Sequence, residues 1–135
     1  MRDTIESCIT WDRYLDFQAR VKAQTLRAIR EVTGRDGTCT VRFTHLYPDG
    51  PAPYFTWHAL GDKSKLVEQF WAIKSAASQA MIDAGGTITH HHALGRDHRT
   101  WYDQERPPLF AETLRAAKRV LDPRSVLNPG VLIDP

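Results

Sequence analysis

Long apolar runs are missing from this sequence of 135 residues. No stretch approaches the roughly 18 residues that a membrane-spanning helix needs, and no apolar segment of the secretory-signal type follows Met1. Cysteine is also scarce, because Cys8 and Cys39 form neither a Cys-x-x-Cys motif nor a disulfide framework. We therefore expect two reduced thiols and a cytoplasmic location.

A large excess of charge of one sign is missing too. The chain carries 18 Lys and Arg residues against 16 Asp and Glu residues, which leaves a net charge of +2. A nucleic-acid-binding domain usually carries a clustered basic face. Here the two signs alternate along predicted helices, as is typical of a solvated surface. The composition therefore argues against a nucleic-acid partner and is ordinary for a folded domain with its own core.

Three segments have the periodicity of amphipathic helices. They are predicted over residues 11–33, 63–84 and about 108–121. Thr10 and Asp62 can cap the first two of these helices. Gly34, Gly85 and the Asp-Pro pair that starts at Asp122 can end them.

Between the first two helices, alternating residues predict a β-hairpin with a Pro-Asp-Gly-Pro turn. The first strand, 38–47, has one face made of Val41, Phe43, His45 and Tyr47. The second, 52–60, has one face made of Tyr54, Thr56, His58 and Leu60. A short third strand is predicted at 87–89. The predicted class is α+β: an antiparallel sheet of a hairpin and a short strand, packed with amphipathic helices and followed by a helical C-terminal tail.

Three of the six histidines are consecutive: His90, His91 and His92. On a strand, His90 and His92 would share a face and could bind one ion, while His91 would point away. The upstream candidates for a further ligand are His45 and His58. We predict no metal site and interpret the imidazoles beside Gly85-Gly86 as an active-site cluster, with ordinary loop histidines as the alternative.

Tyr54 on the predicted hairpin is a candidate general acid–base, because a phenol and an imidazole together can exchange a proton. Its aromatic neighbours favour the alternative that it is a core residue.

Five segments in sequential order carry a resemblance to a known family. They are Thr-Trp-Asp-Arg (10–13), Thr-His-Leu-Tyr-Pro-Asp-Gly (44–50), Pro-Tyr-Phe-Thr-Trp (53–57), Ala-Gly-Gly-Thr-Ile-Thr-His-His-His-Ala-Leu-Gly-Arg (84–96) and Val-Leu-Asp-Pro-Arg-Ser-Val-Leu-Asn-Pro-Gly (120–130). Together they resemble the C-terminal part of FAD-linked oxidases of the vanillyl-alcohol-oxidase type. Within that family the chain is most similar to the alkyldihydroxyacetonephosphate synthases, and the triple histidine is the most specific element.

The resemblance implies an organisation in two parts. Residues 1–97 would be part of a ferredoxin-like cap domain, and residues 98–135 a helical segment that returns towards a separate FAD-binding domain. The resemblance implies that this partner domain binds most of the FAD, and this sequence itself contains no Gly-x-Gly-x-x-Gly motif. We therefore expect the isolated chain to be inactive. The resemblance also admits association of the whole enzyme with a membrane surface, and a homodimer.

The same resemblance implies functional residues. Tyr54 matches the family's acid–base tyrosine, and His91 and His92 match its essential histidines. His45, His90 and Asn128 would lie near the substrate or the flavin. The implied reaction exchanges the acyl group of acyl-dihydroxyacetone phosphate for a fatty alcohol, which produces an ether-lipid precursor.

A second branch of the family acts on 2-hydroxyacids such as D-lactate or glycolate, and its motifs are Gly-His-x-x-Asp-Gly-Asn-x-His and Glu-His-Gly. His45 and Asp49-Gly50 match the start of the first motif, but its second histidine is absent. His91 stands where the second motif has glutamate. The alternatives are therefore an FAD-linked oxidoreductase for a 2-hydroxyacid, or an α+β binding module without catalysis.

Overall fold

A computed structural model describes residues 1–134 of the chain. Its elements are β1 (Arg2–Glu6), α1 (Trp11–Thr33), β2 (Thr38–Leu46), β3 (Pro51–His58), α2 (Leu66–Asp83), α3 (Arg99–Glu105) and α4 (Pro108–Leu121). The predicted α+β class is confirmed. The chain divides into two compact units, and the second begins at His92. The predicted boundary after residue 97 stays a prediction. None of the described helices is long and apolar enough to cross a membrane.

The first unit contains a three-stranded antiparallel sheet in the order β1-β3-β2. The predicted hairpin is present as β2 and β3. The third strand is β1, which the sequence pattern did not reveal, because its five residues include only one large apolar side chain, Ile5. The strand predicted at 87–89 is wrong: this segment has irregular backbone and does not pair in the sheet.

One face of the sheet forms the core with α1 and α2. It presents the buried side chains of Ile5, Phe55 and Trp57. The helices bury their predicted apolar stripes, which include Phe17, Val21, Ile29, Ile73, Ala77 and Met81. Full burial of each of the larger side chains among these, valine, isoleucine, methionine and phenylalanine, stabilises the fold by about 1.5–3 kcal/mol. Alternation along the strands then sends every second side chain to the opposite face.

The opposite face of the sheet is polar. In one cross-strand row, Glu6 of β1 and Arg42 of β2 both pair with Tyr54 of β3. Residues that pair directly across antiparallel strands point to the same side of the sheet. Glu6, Tyr54 and Arg42 therefore lie on one face, away from the helical layer.

A β-bulge in β2 changes the face on which His45 lies. Phe43 pairs with Pro53, but His45 pairs with Ala52, so the register shifts between Phe43 and His45. A bulge of this kind inserts one extra residue and reverses the alternation beyond it. The prediction that His45 shares a face with Val41 is therefore wrong. His45 lies on the same face as Tyr54.

The helix boundaries agree with the sequence pattern except at the start of α2. α1 has the predicted limits and ends at Thr33, with Gly34 as its C-cap, whose left-handed φ of 69° costs glycine little. α2 begins at Leu66, three residues later than predicted. The carboxylate of Asp62 instead holds a turn, accepting hydrogen bonds from the backbone N–H and hydroxyl of Ser64. Thr10 occupies the N-cap position of α1 but makes no side-chain capping bond.

The second unit contains α3, which was not predicted, and α4, which was. α4 starts with Pro108 at its first turn and ends before Asp122. The carboxylate of Asp122 accepts hydrogen bonds from the Lys118 ammonium at 2.6 Å and from the backbone N–H groups of Val126 and Leu127, each at 2.9 Å. These bonds lower the pKa of Asp122 to about 2, with the Lys118 bond as the largest cause.

Candidate active site

A buried carboxylate holds the segment that follows Gly85-Gly86. Glu6 is only 1% exposed. Its Oε1 atom accepts hydrogen bonds from the Thr89 hydroxyl at 2.6 Å, from the His90 backbone N–H at 2.7 Å and from the His91 backbone N–H at 2.9 Å. The side chain of one residue thus takes the place of the strand pairing predicted at 87–89. It anchors the backbone that carries two of the three consecutive histidines.

Three imidazoles meet in front of this anchor. The ring centroid of His45 lies 5.2 Å from that of His90 and 4.9 Å from that of His91. The Nδ1 atoms of His90 and His91 are 3.3 Å apart. The Tyr47 hydroxyl is 3.0 Å from His90 Nε2, so this phenol is also part of the cluster. Together they give the site several ring nitrogens and a hydroxyl that can donate and accept hydrogen bonds.

Tyr54 stacks on this cluster. Its ring lies nearly parallel to that of His91, with 5.9 Å between the centroids and an interplanar angle of 23°. The Arg42 guanidinium carbon is 4.8 Å from the centroid of the Tyr54 ring, which is a cation–π distance. The fold thus brings Tyr54, His45, His90 and His91 together on one side of the sheet. Their catalytic roles stay predictions.

The two remaining predicted site residues belong to the second unit. His92 is its first residue and is half-buried. Asn128 is exposed and has a left-handed φ of 45° in the turn after α4. Asparagine tolerates this backbone conformation better than most residues, which accounts for its place in an Asn-Pro-Gly turn. The proposed involvement of both residues with substrate or flavin stays a prediction.

Sequence reasoning missed Glu6 and Tyr47. Glu6 lies in a short strand whose residue pattern is not typical of strands, and its partners are 83 to 85 positions away in the sequence. The alternation of the hairpin predicts a face for Tyr47 but gives it no role in the site. A buried glutamate is rare unless it is paired, so Glu6 becomes a candidate as soon as its burial is known. Its burial follows only from the tertiary fold.

A cleft of about 400 Å³ lies beside the cluster in the first unit, and Tyr47 borders it together with Cys8, Arg13, Asp49 and Gly85. The Arg13 guanidinium donates to the Ala84 carbonyl at 3.1 Å, which closes one side. Partial burial raises the pKa of the Cys8 thiol above its usual value. Cys8 is therefore a poor candidate for a nucleophile, because the thiolate is the reactive form.

The imidazole cluster also bears on the predicted absence of a metal site. Ligand atoms of His45, His90 and His91 all lie within 4.8 Å of one another. The sequence offered His45 or His58 as the further ligand, and the bulge in β2 places His45 beside His90 and His91. A structural zinc site, however, has four ligands and is closed to solvent. His45 and His91 are exposed.

We therefore still expect no tightly held zinc. The measurement is metal analysis of the purified chain after any affinity tag has been removed, which should find much less than one zinc per chain. His58→Ala is the matched control, because His58 is an exposed histidine at the far end of the sheet. One zinc per chain that is lost in His90→Ala and kept in His58→Ala would contradict the prediction.

The class of this protein follows from comparison of the chain with known families. Residues 2–132 match the family described as "FAD linked oxidases, C-terminal domain". The chain therefore belongs to this family of FAD-dependent enzymes, as the five sequence segments predicted. Its α+β fold is the fold of that domain, and the domain is not the main FAD-binding part of the family's enzymes.

Individual relatives show which members of the family this chain is similar to. The chain is 29% identical over 135 residues to alkyldihydroxyacetonephosphate synthase of Caenorhabditis elegans and 24% identical over 131 residues to that of Trypanosoma brucei brucei, matches that cover 98% and 97% of this chain. It is 27% identical over 109 residues to glycolate oxidase subunit GlcD of Bacillus subtilis (strain 168), over 80% of this chain and 23% of the relative. A solved structure of alkyldihydroxyacetonephosphate synthase superposes on 95% of this chain and 20% of its own, with a TM-score of 0.64 and 17% identity.

The chain spans about a fifth of the length of its curated relatives, namely 22% of the worm protein and 21% of the trypanosome protein. The ligands and reactions of those whole proteins are therefore only proposed for this chain. The residues present fit one side of a flavin site. Tyr54 and the imidazoles on the polar face can hold and move protons, whereas the sequence has no glycine-rich motif to cradle a pyrophosphate.

Proposed function

We propose that this chain is the substrate-facing part of an FAD-dependent enzyme similar to alkyldihydroxyacetonephosphate synthase. The observation that carries the proposal is the stack of Tyr54 on His91, next to a loop that Glu6 anchors. Two relatives matched over nearly the whole chain carry that name. The partner is an FAD-binding domain of the same enzyme.

The proposed reaction replaces an ester by an ether. Acyl-dihydroxyacetone phosphate and a fatty alcohol give alkyl-dihydroxyacetone phosphate and a free fatty acid, so the exchange is redox-neutral overall. A proton leaves carbon 1 of the substrate and later returns to it. FAD, when bound, supplies the electrophilic and redox chemistry at the reacting carbon.

Tyr54 and His91 have the proton-transfer role in this proposal. An ordinary phenol titrates near pH 10 and an ordinary imidazole near 6.5, so a phenol needs a neighbouring base in order to give up its proton at neutral pH. Contact between the two rings puts such a base beside Tyr54. The Arg42 guanidinium close to the Tyr54 ring favours negative charge on the phenol during the transfer.

The experiment is an exchange assay on the flavin-loaded enzyme that contains this chain and its FAD-binding domain. Palmitoyl-dihydroxyacetone phosphate is mixed with radiolabelled hexadecanol, and both labelled ether product and free palmitate are measured. We expect equal amounts of the two, without net reduction of an added electron acceptor. Acceptor reduction with D-lactate or glycolate, and no ether product, would refute the proposal.

The second candidate function is that of an oxidoreductase for a 2-hydroxyacid. This is the activity that acceptor reduction with D-lactate or glycolate would reveal. The similarity to glycolate oxidase subunit GlcD favours it, as does a match to a probable mitochondrial D-lactate dehydrogenase of Danio rerio, 28% identical over 68 residues. Those matches cover 80% and 50% of this chain, less than the synthase matches described above. The synthase-like reaction is therefore preferred.

A further inference from the structure

We infer that Glu6 is a positioning residue that fixes the tautomer of His91, so that the Nε2 atom of His91 carries the lone pair that accepts a proton. The inference deepens the proposed function and rests on the acid–base role of His91 proposed there. Neither the family match nor the sequence motifs point to Glu6. The argument comes from the different contacts of its two carboxylate oxygens.

One oxygen of Glu6 is committed to the backbone. Oε1 accepts from the Thr89 hydroxyl and from the backbone N–H groups of His90 and His91, all between 2.6 and 2.9 Å. Three donors on one oxygen fix the rotation of the carboxylate plane. The side chain is fully buried, at 0% exposure, so water does not compete for these bonds. The other oxygen, Oε2, therefore has a fixed position.

The second oxygen faces the ring of His91. Oε2 lies 3.1 Å from His91 Nδ1 and 3.9 Å from His90 Nδ1. This is an ion-pair distance and not an aligned hydrogen bond. A carboxylate can only accept hydrogen bonds, so its negative charge this close favours a hydrogen rather than a lone pair on the nearest nitrogen. His91 thus contacts the same side chain twice, through a hydrogen bond from its backbone N–H and through the electrostatic contact of its ring. This double attachment fixes the position of the residue and the orientation of its imidazole.

The rest of the cluster fits the same arrangement of protons. A hydrogen on His91 Nδ1 also faces His90 Nδ1 at 3.3 Å, where a lone pair can accept it. His90 then carries its own hydrogen on Nε2 and donates it to the oxygen of the Tyr47 hydroxyl at 3.0 Å. If His90 Nδ1 carried the hydrogen instead, the lone pair of His91 Nδ1 would face the carboxylate oxygen at 3.1 Å, whereas the His90 hydrogen would belong to an atom 3.9 Å from it, a less favourable arrangement of charge. The neutral His91 ring therefore keeps Nε2 as its basic atom.

Position in the sheet places this carboxylate close to the proposed proton-transfer pair. Glu6 pairs directly with Tyr54 across β1 and β3, and the Cβ atoms of such a pair are about 4.5–5.5 Å apart. His91 contacts both residues, Glu6 through Nδ1 and Tyr54 through ring stacking. In this arrangement a buried acid, Glu6, orients a base, His91. Where such an acid is lost in other enzymes, the base takes the wrong tautomer and turnover falls by up to roughly 10⁴-fold.

Glu6→Gln tests the inference sharply, because the amide separates the two roles of the carboxylate. The amide oxygen can still accept the three bonds at the Oε1 position. The amide nitrogen then occupies the Oε2 position, where it donates to His91 Nδ1 instead of accepting from it. We expect the variant to keep the loop anchored but to invert the tautomer of His91, so that Nε2 carries the hydrogen.

The measurement is long-range ¹H–¹⁵N NMR of the 135-residue chain, with the His91 signals assigned and the sample at about pH 8.5, well above the ordinary imidazole value. In the unmodified chain we expect protonated Nδ1 to exceed protonated Nε2 by at least about tenfold, and the ratio to reverse in Glu6→Gln. Glu31→Gln, an exposed glutamate on α1, is the matched control and should change nothing.

Two results would overturn the inference: protonated Nε2 as the main form in the unmodified chain, or an unchanged ratio in folded Glu6→Gln. The first needs no variant, so the inference stays testable if Glu6→Gln does not fold. In the flavin-loaded enzyme, Glu6→Gln should also lower kcat by roughly 10²–10⁴-fold with unchanged flavin content. Inversion of the tautomer with full turnover would support the role of Glu6 and refute the base role of His91.

Discussion

Replacing Tyr54 by phenylalanine is expected to lower the turnover of the flavin-loaded enzyme by roughly 10²–10⁴-fold without changing its flavin content. The substitution removes only the hydroxyl group. It keeps the ring that stacks on His91 at 5.9 Å and that lies 4.8 Å from the Arg42 guanidinium carbon. A large loss of rate with intact flavin and unchanged thermal stability would therefore come from proton transfer. The measurement is the exchange assay, combined with the flavin absorbance per polypeptide.

The matched control for this variant is Thr56→Ala. Thr56 lies on the same strand and the same face as Tyr54, two residues along, and is also half-buried. It has no assigned part in the chemistry, so its loss should change turnover only slightly. Near-normal turnover of Tyr54→Phe, with acyl-dihydroxyacetone phosphate or with a 2-hydroxyacid, would show that Tyr54 is a packing residue, as its aromatic neighbours suggested.

His91→Ala should cause a loss of similar size, and the double variant with Tyr54→Phe should be no worse than the poorer single variant. Residues that act as a unit are strongly non-additive, because removal of either one disables the same proton transfer. The measurement is a double-mutant cycle on kcat. His58→Ala is the matched control, since it removes an exposed histidine from the opposite end of the same sheet face.

A double variant whose loss equals the product of the two single losses would contradict the shared role. It would mean that Tyr54 and His91 contribute to turnover independently. Because His91 also contacts Glu6 and His45, the melting temperature of each variant has to be compared with that of the unmodified protein. If turnover falls only in proportion to the loss of folded protein, the double-mutant cycle does not support a shared proton-transfer role of Tyr54 and His91.

The local sequence pattern was sufficient to predict the long helices and the hairpin of the fold. The apolar stripe of α1 predicted both its limits and its buried residues, among them Phe17, Val21 and Ile29. The hairpin followed from residue alternation on either side of a Pro-Asp-Gly-Pro turn. Pro108 and Asp122 marked the ends of α4. These elements are readable because the period of a helix or strand repeats often enough along the chain to identify it.

Sequence motifs were also sufficient to identify the family and most of the residues of the imidazole cluster. The histidines after Gly85-Gly86 and the tyrosine of the hairpin are candidate site residues from the sequence alone. The motifs did not show how these side chains meet. The route assumed for them, a strand at 87–89 beside the hairpin, is wrong, and a carboxylate from β1 holds the segment instead.

The sequence by itself determined the α+β class, the long helices, the hairpin and the family, because each depends on residues that are neighbours in the chain or stand in a characteristic order. Only the tertiary structure decided the third strand, the face of His45 and the role of Glu6. β1 is too short and too polar to be recognised without its partner strand, and one inserted residue in β2 moves His45 to the face of Tyr54. Glu6 becomes an anchor only when folding buries it against residues 83 to 85 positions away, a relation that no local pattern encodes.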